Sequence, residues 1–146
     1  MRASGKLRRM MDTEAPQPVA LPPLRRAHDR RRYPRLAREL ATIRAMVGIY
    51  CRDHHGNGGT ARGSLCAECR GLMDYATRRL DRCVFGDDKP TCANCRVHCY
   101  TATMREQVRV VMRYAGPRML WRHPFLAIAH VVDGRRQAPD LPRRRT

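Results

Sequence analysis

Seven cysteines lie between Cys51 and Cys99, interleaved with His54, His55 and His98, and a predicted helix divides them into two sets. Cys66 and Cys69 open an amphipathic run, Leu65, Cys69, Leu72, Met73, Ala76 and Leu80, that closes near Cys83. At about 1.5 Å per helical residue, Cys69 and Cys83 stand roughly 21 Å apart. Thiolates bound to one zinc ion at about 2.3 Å lie within a few ångströms of one another. No single ion can collect both sets. The chain is therefore expected to be mainly α, a small array of about four helices pinned by two Cys/His metal sites and flanked by disordered basic tails.

The first set is Cys51, His54 or His55, Cys66 and Cys69. Cys51 and His55 are four apart and share a helical face, and Cys66 and Cys69 form a CxxC at the start of the next helix. Gly56, Gly58, Gly59 and Gly63 let the two ends meet. His54 is also in reach, so the choice of histidine stays open. The second set is Cys83, Cys92, Cys95 and Cys99, a CxxCxxxC in a turn-rich loop with a fourth thiol from the end of the preceding helix. Four cysteines suit either zinc or an iron–sulfur cluster. Lys89 and Arg96 are placed to favour the thiolate forms, and His98 is an alternative ligand or a donor to one.

Dithiol redox catalysis is the rival for either CxxC, but no βαβ pattern surrounds Cys66-Cys69 or Cys92-Cys95. No Ser/His/Asp set, phosphate loop or carboxylate pair stands out; Asp87-Asp88 read as a turn before Pro90. Trp121 among Arg113, Arg118, Arg122, His123 and His130 reads as a core anchor with solvated neighbours rather than an anion or base site. His123 and His130 are about 10 Å apart along a helix and share no ion.

Around these sets, residues 1–33 hold Pro16, Pro18, Pro22 and Pro23 beside arginine runs and read as a disordered extension; 34–133 form the metal-stabilised domain and 134–146 a basic tail. Helices are expected from Pro34 toward Cys51 (Leu36, Leu40, Ile43, Val47, Tyr50 on one stripe) and from a Ser64 N-cap to Cys83. A third runs from a Thr103–Glu106 capping box to a stop at Gly116-Pro117, and a fourth from Arg118 to Val132 with a break at His123-Pro124. Only five Tyr, two Phe and one Trp are available for a core, so coordination is expected to supply part of the folding free energy.

The formal charge is +17, but residues 1–35 carry ten Lys/Arg against three acids and residues 134–146 five against one. Two thirds of the excess thus sits in the tails, which could hold RNA or DNA non-specifically through counterion release. Twenty-eight of the thirty basic residues are arginine, a coding bias as much as a binding signature. An odd cysteine count and a basic, Pro-rich start without an apolar segment point to reduced thiols in the cytoplasm. The longest apolar stretch, Phe125 to Val132, is too short to cross a bilayer.

The ordered motifs Tyr50-Cys51-Arg52-Asp53-His54-His55, Leu65-Cys66-Ala67-Glu68-Cys69, Cys83 through Cys92, and Cys95-Arg96-Val97-His98-Cys99-Tyr100 resemble the bacterial nitrous oxide-stimulated promoter family. Met112 through Leu120 and Arg122-His123-Pro124 extend the resemblance, which covers about Leu36 to Val132. The long N-terminal extension departs from the family pattern, as does Arg96 where proline is usual. The resemblance implies a place in the nitric oxide stress response and no settled activity. Nitric oxide attacks iron–sulfur clusters and metal-bound thiolates, so a chain with two such sites could sense, buffer or survive it. A metal-stabilised nucleic-acid-binding regulator and an iron–sulfur redox protein are the alternatives.

Overall fold

Pro34 opens the first helix, α1 (Pro34–His55), with its φ already set for a helical start. In the computed structural model, residue 29 and residues 32–56, 63–97, 99–137 and 139–140 are described. The extension 1–33 falls almost wholly outside these residues, as do His98, part of the 134–146 tail and most of the glycine-rich connection. The backbone amides of Arg35 and Leu36 are capped across the fold by Asp87 Oδ1, at 3.1 and 3.3 Å. Leu36, Leu40, Ile43 and Val47 are buried as their helical spacing predicts, and Met46 and Ile49 widen the stripe.

α1 is the central element, packed against α2 (Ala67–Asp81), α3 (Ala102–Arg122) and α4 (Pro124–Gly134). α2 buries Cys69, Leu72, Met73, Ala76 and Leu80. Its N-cap is Cys66 rather than Ser64, because the Cys66 sulfur accepts the Cys69 amide. α3 likewise starts earlier than its capping box: Thr101 Oγ1 accepts the Met104 amide at 3.3 Å.

The largest correction concerns Gly116-Pro117, which does not stop α3. An internal proline costs about 3 kcal/mol, and burying a large apolar side chain returns about 1.5–3 kcal/mol. Met119, 1% exposed, continues the Val111–Ala115 stripe past the proline and offsets its cost. Arg118 braces the same turn, donating to the Tyr114 carbonyl at 2.8 Å and stacking over the Tyr114 ring. The break falls at His123-Pro124, as expected, and Pro124 begins α4. Trp121 is not a core anchor: it is 90% exposed, and Leu120, Phe125, Ile128 and Val132 near it in the sequence are exposed as well.

Between α2 and α3 the chain makes two short 3-10 turns, Gly86–Asp88 and Cys92–Asn94. Gly86 has φ +54, and a Cβ there would meet the Tyr33 ring at 3.2 Å, so glycine is required twice over. Phe85, Lys89, Pro90 and Thr91 are buried, which makes this loop a plug rather than a surface excursion. No strand occurs among the described residues, and none of their helices is long and apolar enough to cross a membrane.

Candidate metal centre

The C-terminal turn of α1 and the first turn of α2 converge on one point. Cys51 and His55, one turn apart on α1, meet Cys66 and Cys69, whose CxxC spans the start of α2. His55 Nδ1 lies 3.2 Å from the Cys66 sulfur and 3.3 Å from that of Cys69, and the Cys66 amide donates to the Cys51 sulfur at 3.3 Å. All four donor atoms fall within 4.8 Å of one another, a Cys3His group able to hold a metal ion. Gly56, with φ +63, lets the chain leave α1 beside His55.

His54 stays outside this group. Its ring stacks on Tyr50 at 4.2 Å, meets Tyr114 edge-on at 4.2 Å and holds the Tyr50 carbonyl through Nδ1 at 3.3 Å. Asp53 extends the same contact by accepting from the Tyr114 hydroxyl at 3.2 Å. The two adjacent histidines thus face different neighbours, one the thiols and one an aromatic pair.

The thiols of the CxxC are pulled apart in acidity. The Cys69 backbone N–H at the helix start brings the Cys66 thiol down to about 7, while burial first, then the neighbouring Cys66 and Cys51 sulfurs, push Cys69 up. The Cys66 thiolate is therefore available near neutral pH, and a bound cation must draw off the proton of Cys69.

The second set is assembled differently. Cys83 follows α2, Cys92 opens the second 3-10 turn, Cys95 caps it and Cys99 precedes α3; all four line one cavity. Burial dominates here. It raises the thiols of Cys83 and Cys99 and takes Cys92 up to about 12, although the Lys89 ammonium opposes it at Cys83 and Cys92. Arg96 is exposed, and Arg79 instead is the guanidinium acting on Cys99. Lys89 reaches the Cys92 sulfur at 3.5 Å and Glu39 Oε1 at 3.4 Å, with both charged side chains 3% exposed. No local pattern announces Glu39, which sits mid-helix in α1, or the cap from Asp87: both join residues some fifty positions apart. All seven cysteines are free thiols.

Four helices without a strand among the described residues, with the end of α1 and the start of α2 joined by a Cys3His group, define a small α-helical protein able to hold a metal ion. The chain belongs to the nitrous oxide-stimulated promoter family, whose pattern it matches over residues 34–143. It is similar to the uncharacterized protein YgbA of Escherichia coli (strain K12), with 44% identity over 109 residues that cover 74% of this chain and 88% of that protein. No solved structure matches it.

Proposed function

We propose that the protein is a small cytoplasmic metal-binding protein of the nitrosative stress response, acting through its bound metal and partners rather than by turnover. The observation that carries the reading is the convergence of Cys51, His55, Cys66 and Cys69 on one point. Three thiolates and one imidazole suit zinc at this site. The family's link to nitrogen oxides supplies the physiological setting, and thiolates on a metal are the groups nitric oxide attacks. The functional unit on this reading is 34–133.

Replacing Cys66 and Cys69 by serine should remove about one zinc per chain and delay growth recovery after nitric oxide exposure in a strain carrying the variant. Zinc retained by the variant would dismiss the site; normal recovery with zinc lost would dismiss the stress role. The second reading, a metal-stabilised nucleic-acid-binding regulator, draws on the chain's excess of arginine, although the gathering of most of that charge in the tails counts against it. It requires affinity for duplex DNA that falls steeply with salt, and a flat salt titration would end it.

A further inference from the structure

Cys83, Cys92, Cys95 and Cys99 line a cavity of about 130 Å³. A single water occupies roughly 10–15 Å³ on the same measure, so the cavity that these thiols border is about ten times what one water fills. Their arrangement also differs from that of the first set. Among the described residues, three or more Cys, His, Asp or Glu donors lie within 4.8 Å of one another at Cys51, His55, Cys66 and Cys69 and not here. The four thiols enclose a volume without closing on a point, whereas a tetrahedral zinc site closes on its ion.

The charge around the cavity has one sign. Arg79, Lys89, Arg105 and Arg109 line it, and none of the lining residues is acidic. Lys89 is buried against the Cys92 sulfur, where a cation is costly unless it faces negative charge. Glu39 balances Lys89 and the exposed Glu106 pairs with Arg109 at 3.7 Å, so the uncompensated charge facing the site comes from Arg79 and Arg105 and still favours an anion. Leu80, Val108 and Met112 complete an apolar wall from α2 and α3.

We propose that this cavity holds an iron–sulfur cluster ligated by Cys83, Cys92, Cys95 and Cys99. A four-cysteine cluster fills a volume rather than a point, carries net negative charge and is tuned by burial and by donors to its sulfurs, which matches the space, the cations and the apolar wall. The inference extends the metal-binding reading but rests on other residues, so zinc at the first site and the cluster at the second are read separately.

The test is anaerobic reconstitution of the full chain with ferrous iron and sulfide, with zinc, iron and labile sulfide measured together. The wild type should take up iron and sulfide in equal amounts, about two or four of each per chain, and gain broad visible absorption. C66S/C69S should lose zinc and keep the cluster; C92S/C95S should lose the cluster and keep zinc. A cluster that persists in C92S/C95S would overturn the proposal. Should that variant fail to fold, the wild type still decides: tight uptake of two zinc per chain with no cluster formed makes the second site a zinc site.

Discussion

Cys66 and Cys69 are three residues apart, yet helix geometry and burial send their thiols in opposite directions. In chelated, reduced protein, iodoacetamide should therefore modify Cys66 first, with a rate rising through pH 7. Peptide mapping that finds Cys69 or Cys92 modified earlier would contradict this. The Lys89–Glu39 pair is a second residue-scale case. Both side chains are 3% exposed, and removing one partner of a buried pair costs about 3–5 kcal/mol because the other is stranded. Lys89→Met should lower stability by that amount in urea denaturation, and Lys89→Met with Glu39→Leu should lose less than the sum of the single changes. The first set was legible in the sequence because i, i+4 and CxxC are local spacings. The choice between His54 and His55 was not, since three and four residues both return to the same helical face. What separates them is Tyr114, brought in from α3 against His54, and the stacking of His54 on Tyr50, which meets His55 only edge-on.

At the scale of elements, α1 and α2 could be read from their periodicity, since each stripe is continuous and each end has a local signal. α3 could not, because proline is a local signal for a stop and the burial of Met119 that overrides it is a tertiary fact. Gly116 then sits inside a helix with open space where a Cβ would go. Gly116→Ala should raise stability by about 0.5–1 kcal/mol, chiefly by restricting the unfolded chain; a loss of stability on thermal unfolding would mean that the helix needs freedom before Pro117. α4 is held by a device with no sequence signature. Asp133, 4% exposed, faces Arg35 at 3.4 Å, Arg38 at 3.0 Å and Arg136 at 3.6 Å, which ties the last helix to the first turn of α1. Trp121 was misplaced in the core because an aromatic at helical spacing is usually an anchor. Its 90% exposure predicts that Trp121→Ser changes stability by less than about 0.5 kcal/mol.

For the whole molecule, pH acts on the metal-free protein through thiols of opposite sign. Cys66 ionises more readily folded than unfolded, so between about 7 and the ordinary thiol value near 8.5 the unfolded chain holds more protons and stability rises with pH. Above that range the balance reverses. Burial raises the thiols of Cys69, Cys83, Cys92 and Cys99 and the phenol of Tyr100, so the unfolded chain gives up these protons while the folded chain keeps them. Lys89, also raised, acts in the same sense because the folded chain holds its proton longer. The urea midpoint of chelated, reduced protein should therefore climb modestly from pH 7 toward 8.5 and fall steadily beyond it; a midpoint still rising at pH 10 would refute the burial of the second set. Metal removes this penalty at the Cys3His group by exchanging protons for a cation, which is why that group and the thin core belong together. A zinc ion present at a thousand times its dissociation constant adds about 4 kcal/mol, and in a domain of this size each kcal/mol moves the midpoint by roughly 4–8 °C. Chelation at neutral pH should then lower Tm by roughly 15–30 °C. A shift of only a degree or two would mean that the helices carry the fold unaided, and that the Cys3His group binds metal for chemistry rather than for structure.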